Sequence, residues 1–154
     1  MGLQQIITTF IPQGIYIVTS KYENKINGLT AAWVGQVSFN PKLLSVALTP
    51  TRYTYELIKK SHLFCINTLS KDQIQLAKNF GFVSGRQKNK FEGVDYFFAK
   101  HGCPVIKDAL AYFECQLVKE CEAGDHIILI GEIKDYKVLN PLGEPLIFKW
   151  EDFF

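Results

Sequence analysis

Apolar residues fall in short runs along this chain, and most runs have the period of a strand. Gly14-Ile-Tyr-Ile-Val-Thr-Ser20 is rich in β-branched and aromatic residues and predicts a strand. Lys21 to Asn27 is polar and predicts a turn, and Gly28 to Phe39 reads as an extended segment with many small residues. Leu43-Leu-Ser-Val-Ala-Leu48 and Leu63-Phe-Cys-Ile-Asn67 are near-continuous apolar strands, suited to burial. Ala111 to Cys121 alternates, with Ala111, Phe113, Cys115 and Leu117 on one face; the alternation slips near Lys119, which predicts a bulge. Ile127-Ile-Leu-Ile130 continues into Glu132–Val138 as one long strand, and Pro145 to Trp150 is expected to close the set. Helical signals are few. Ser70-Lys-Asp-Gln73 is a capping-box pattern before Ile74–Phe80, with Gly81 as the stop, and Thr54 to Lys60 is a second short helix. About seven closely spaced strands, without helices between most of them, predict a closed or nearly closed β-barrel. No repeat, low-complexity tract or linker divides residues 1–154, so the reading is a single domain.

Composition narrows the class. At 154 residues, 47% hydrophobic, 21% charged and 14% aromatic, the chain can bury a core without disulfides, and disorder is excluded. The net charge of +2, from 17 basic and 15 acidic residues, argues against a nucleic-acid protein that relies on a strong positive field. Only two of the basic residues are Arg, Arg52 and Arg86. Arg supplies the planar fork that grips phosphate or carboxylate, so these two positions carry most interest. No apolar run reaches the roughly 20 residues of a membrane helix, and Met1 to Phe10 lacks the features of a signal peptide. The four Cys stand singly, with no C-x-x-C pair and widely spaced His, so no metal site is expected. Reduced thiols acting as small hydrophobes fit a cytoplasmic protein.

Four segments carry candidate chemistry. Asn27-Gly-Leu-Thr-Ala-Ala-Trp33, then Val37-Ser-Phe-Asn-Pro41, places small residues where a flat ligand could lie against the backbone. Thr30 and Ser38 add hydroxyls and Trp33 a flat wall; tight strand packing is the plainer alternative. Thr49-Pro-Thr-Arg-Tyr-Thr-Tyr55 joins a strand to a helix start, where free N–H groups, Thr51, Thr54 and Arg52 suit a phosphate. Simple capping by Thr51 or Thr54 is the alternative. Phe82-Val-Ser-Gly-Arg-Gln-Lys88 is a polar loop holding the second Arg. Ala123-Gly-Asp-His126 is a turn in which Asp125 could orient His126.

In this order the segments resemble the flavin reductase-like family, the FMN-binding split barrels. The matching residues are Asn27-Gly-x-Thr30-Ala31, Val37-Ser38-x-x-Pro41, Thr51-Arg52-x-Thr54 and Ala123-Gly-Asp-His126-x-Ile-x-x-Gly131. Gly102-Cys-Pro-Val105 and Leu110-Ala-Tyr-Phe-Glu-Cys115 fit as well, and the likeness spans roughly residues 10 to 150. The resemblance implies a mainly β, Greek-key split barrel with two or three short helices. It implies that Asn27 belongs to the FMN-binding residues and that Thr30, Ala31, Ala32, Trp33, Val37, Ser38 and Phe39 hold the isoalloxazine ring of FMN, largely through backbone groups. Thr51, Arg52 and Thr54 would take its phosphate and ribityl end, with Ser84, Gly85 and Arg86 approaching the tail. His126 would face the nicotinamide of NAD(P)H, and two copies of the chain would form a homodimer. Pro41-Lys42 replaces the Pro-Pro of many members, and Trp33 stands where many have a small residue; Trp33-Val-Gly-Gln36 looks closer to the flavoredoxin and ferric-reductase branch.

The activity this implies is hydride and electron transfer between NAD(P)H and flavin, passed on to free flavin, ferric chelates or a partner protein. The cofactor carries such chemistry, so the lack of a nucleophile or paired-carboxylate signature is no objection. The alternative is a flavoredoxin-like carrier that does not itself use NAD(P)H. A flavin-free barrel binding nucleic acid through Lys88-Asn-Lys-Phe91 is a third reading.

Overall fold

The structure is a computed structural model that describes residues 1–154. A short helix α1 (Leu3–Phe10) precedes strands β1 (Tyr16–Tyr22), β2 (Lys25–Ala31), β3 (Val34–Ser38) and β4 (Leu43–Leu48). Helix α2 (Tyr53–Ser61), β5 (Leu63–Thr68) and α3 (Ile74–Gly81) follow. The hairpin β6 (Tyr96–Phe98) and β7 (Pro104–Ile106) leads to the long pair β8 (Ala111–Ala123) and β9 (His126–Val138), and α4 (Trp150–Phe153) comes last. The protein is mainly β, as expected.

Seven strands form one sheet in the order β2-β1-β5-β8-β9-β4-β3. Every neighbouring pair in it is antiparallel. The two edges, β2 and β3, are consecutive in the chain and joined only by Ala32 and Trp33. The sheet must therefore curl until its edges nearly meet. The Ala47 amide donates to the Trp33 carbonyl at 3.0 Å, which carries the β3–β4 ladder one position past Val34↔Val46. Leu29 and Ala31 of β2 share one buried cluster with Val46 and Leu48 of β4, capped by Tyr55 and Ile58 of α2. The result is a barrel split between β2 and β3.

Burial on both faces explains the apolar runs. Val18 points into the barrel cluster, while its neighbour Ile17 joins an outer cluster with Ala77, Phe80 and Phe91 under α3. Period-two alternation then places apolar residues on either side of β1.

Several sequence expectations are corrected. The polar segment 21–27 is mostly strand: β1 and β2 pair from Tyr22↔Lys25 onward, and only Glu23 and Asn24 turn. Its polar side chains sit on a solvated hairpin, which composition alone cannot separate from a turn. The extended segment 28–39 breaks at Ala32-Trp33. Pro145–Trp150 is no strand; it makes single bridges, Ser70↔Pro145 and Gly14↔Ile147, and ends in α4. Four helices replace the expected two or three. The bulge near Lys119 lies between Leu117 and Lys119, and a second register shift falls at Glu114/Cys115. No helix is long and apolar enough to cross a membrane.

Candidate functional site

The turn after β4 starts α2 without a side-chain cap. Capping by Thr51 or Thr54 is thus not what these residues do. The Thr54 hydroxyl is fully buried and accepts from the Asn27 amide at 3.0 Å. The N–H groups of Thr51, Tyr53 and Thr54 have no partner within the protein. They adjoin a cleft of about 210 Å³, walled by Thr51, Arg52 and Tyr53 on one side and by residues 81–86 on the other. The Arg52 guanidinium reaches no acceptor in the protein, and burial lowers its pKa. Lys90 also lines the cleft and is only 7% exposed. Its Nζ donates to the Gly28 carbonyl at 2.8 Å and the Phe80 carbonyl at 2.9 Å. Burial first, and the Arg52 charge second, bring its pKa down to about 8. No carboxylate lines this cleft. Three cations (Arg52, Lys90 and Arg86), free N–H groups and a positive helix end make an anion site.

Loop 82–88 is tied over the start of α2. Arg86 donates to the Thr51 carbonyl at 3.1 Å and to Glu56 Oε2 at 2.7 Å, and its guanidinium lies 5.3 Å from the Tyr53 ring centroid. Ser84 Oγ accepts from the Arg86 amide. Gly85 packs so closely on Asn27 that a Cβ would overlap the amide side chain. Asn27, Thr54 and Gly85 therefore shape the cleft from beneath, while Thr51 and Arg52 face it.

Arg52 also borders a second cleft of about 140 Å³, with Thr30, Ala31, Ala32, Trp33 and His126. The N–H and C=O of Ala32 and the N–H of Trp33 have no partner in the protein. Backbone donors and acceptors left unpaired where the barrel splits are what a heterocycle edge requires. The Thr30 hydroxyl is not free: it donates to the Ala77 carbonyl at 2.6 Å. Gly124, at φ 59°, permits the tight turn that starts β9 at His126. Asp125 Oδ1 lies 2.7 Å from His126 Nδ1, and that hydrogen bond holds the exposed Asp125 carboxyl below its usual range. The Trp33 and His126 rings meet with centroids 4.5 Å apart.

Val37, Ser38 and Phe39 line neither cleft. They lie along β3 and its exit, Val37 and Phe39 largely exposed, with Phe39 against Lys42. Lys90, which the sequence groups with Lys88 as a candidate nucleic-acid-facing lysine, instead points inward and lines the cleft. The adjacent Phe91 is buried in the outer cluster and anchors the loop.

A family model described as "Flavin reductase like domain" matches residues 8–154. The chain belongs to this family. It is 35% identical over 139 residues to a high molecular weight rubredoxin of Moorella thermoacetica, covering 89% of this chain and 60% of that protein. The chain thus spans less than two thirds of that relative's length. It is 34% identical to a ferric-chelate reductase (NAD(P)H) of Archaeoglobus fulgidus, covering 84% of this chain and 78% of the relative. A solved structure of an NADH:FAD oxidoreductase from Streptomyces globisporus superposes with a TM-score of 0.88 at 26% identity, covering 96% of this chain and 86% of that one.

Proposed function

We propose that this flavin reductase-like domain binds FMN and moves electrons between NAD(P)H and an acceptor such as free flavin or a ferric chelate. The carrying observation is Arg52, an unpaired guanidinium that borders both clefts, with unpaired amides in each. Arg52, Lys90, Thr51 and the first amides of α2 hold the phosphate. Ala32 and Trp33 offer their backbone groups to the pyrimidine edge. Asp125 fixes the His126 ring, which holds the nicotinamide carboxamide over the cleft. FMN, when bound, supplies the hydride acceptor. The relatives' names support this activity class. Residues 1–154 act as one domain, and the exposed apolar Val37 on edge strand β3 and Phe39 just past it are buried against a second copy.

The experiment is the visible spectrum of purified protein loaded with FMN, before and after NADH or NADPH without oxygen. Bleaching of the flavin bands supports the proposal. Colourless protein that takes up no FMN overturns it. One observation favours a second reading, a carrier that does not use NAD(P)H: Trp33 packs over His126 at the place a nicotinamide would need. Yellow protein that neither nucleotide bleaches selects that reading.

A further inference from the structure

A third cleft, of about 200 Å³, shares Thr30 and Ala32 with the ring cleft and Gly81 and Phe82 with the phosphate cleft. Its other walls are Ile15, Ala77 and the rings of Phe148, Phe153 and Phe154. No charged side chain lines it, and its one hydroxyl, on Thr30, is committed to the Ala77 carbonyl. The rings brace one another. Phe148 and Phe153 stack with centroids 5.3 Å apart, and Phe154 meets Phe82 edge-on at 6.4 Å. A Cβ on Gly81 would come within 3.3 Å of Thr30 Cβ, so a side chain there would crowd the wall that the clefts share.

The three clefts adjoin in pairs and differ in chemistry. One carries cations and free N–H groups, one carries unpaired amide donors and acceptors, and one is aromatic. A flavin divides in the same three ways. Its ribityl phosphate leaves the central ring, its pyrimidine edge bears N–H and C=O groups, and its benzenoid edge bears two methyls. We infer that the aromatic cleft receives the dimethylbenzene edge of the flavin, with the pyrimidine edge turned toward Ala32, Trp33 and Arg52. This rests on the flavin reading above and adds the orientation of the ring. Burying an aromatic edge with its methyls gains from every ring in the wall, while a pyrimidine edge there would lose its hydrogen bonds to water without replacement.

The test measures dissociation constants by quenching of flavin fluorescence, using flavin-free protein with FMN, 7,8-didemethyl-FMN and 3-methyl-FMN. Loss of the two methyls is expected to weaken binding roughly tenfold. In Phe148→Ala, whose pocket wall is gone, that difference shrinks to about threefold or less while the 3-methyl penalty stays. Phe153→Ala, on a partly exposed ring, serves where Phe148→Ala does not fold. Equal binding of FMN and its didemethyl analogue to the native protein overturns the inference. So does a Phe148→Ala effect confined to the 3-methyl penalty, which means a reversed ring. Failure of the native protein to bind any of the three flavins overturns the flavin reading itself, and the orientation with it.

Discussion

Arg86 donates to Glu56 Oε2 at 2.7 Å, so the second of the chain's two arginines is already partnered while Arg52 is not. Their expected roles separate accordingly. Arg52→Ala removes a charge-assisted contact to phosphate and should weaken FMN binding by about 100-fold, roughly 2–3 kcal/mol. It should leave thermal stability unchanged or raised, because a half-buried, unpartnered guanidinium gives the empty fold nothing. The Arg86–Glu56 pair is half exposed, so Arg86→Ala should cost under ~1 kcal/mol of stability. By freeing the loop it should raise the FMN off-rate several-fold. Melting curves and stopped-flow dissociation separate the two variants.

The pH dependence of binding should come from Lys90. Its folded pKa is lowered from 10.5 to about 8, so near neutral pH the ammonium is present and above pH 8 it is lost. A bound dianionic phosphate pulls that pKa up again. Binding then takes up a proton above pH 8, and affinity falls with rising pH, by up to about tenfold between pH 8 and 9. Stability runs the other way. Between pH 8 and 10.5 the unfolded chain holds a proton that the empty fold has released, so the empty fold gains stability as pH rises. Lys90→Met should flatten both profiles, read by FMN titration and by denaturant unfolding across that range.

His126 and Asp125 should separate nucleotide use from flavin binding. His126→Ala is expected to lower kcat/KM for NAD(P)H by about 10- to 100-fold while changing FMN affinity less than about twofold. Asp125→Asn keeps the ring but weakens its orientation, so it should fall between His126→Ala and the native protein. Unchanged hydride transfer in His126→Ala would remove this residue from the mechanism. Anaerobic stopped-flow reduction gives the rates.

What was legible in the chain followed burial. The central strands declare themselves because Ile17 and Val18 face two different cores, which forces an unbroken apolar run. The helix start at Thr51-Arg52 was legible because its chemistry is local, whereas the break at Ala32-Trp33 was not, because small residues continue the extended run without a turn signal. Helix α1 was not, since Gly2 caps it without a side chain and Leu3 and Phe10 stay exposed. The hairpin of β6 and β7 has three-residue strands, and all of β6 is exposed, too little pattern to read. Lys90 was hidden for another reason. Its burial depends on the carbonyls of Gly28, remote in the chain, and of Phe80, at the end of the preceding helix, and neither is announced by the residues around Lys90. The third cleft is hidden in the same way, as its rings come from near residue 82 and residues 148–154.

Gly131 shows why a motif residue need not touch a ligand. It ends the Gly-Asp-His-x-Ile-x-x-Gly pattern, yet it lines none of the three clefts. A Cβ on it would stand 2.6 Å from Phe64 Cζ and 2.7 Å from Cys115 Cβ, both fully buried. Neither neighbour can move away: Phe64 fills the barrel centre and Cys115 is pinned in the β8 ladder opposite Phe64. Gly131→Ala should therefore overpack the barrel and cost about 2–3 kcal/mol, measured by denaturant unfolding. Gly131→Ala combined with Phe64→Leu should recover part of that loss, because the shorter side chain vacates the space the methyl needs. FMN affinity of the folded fraction should stay within about twofold of native for both, since the barrel centre lies apart from the phosphate grip. A Gly131→Ala protein of native stability would overturn this packing account of the glycine.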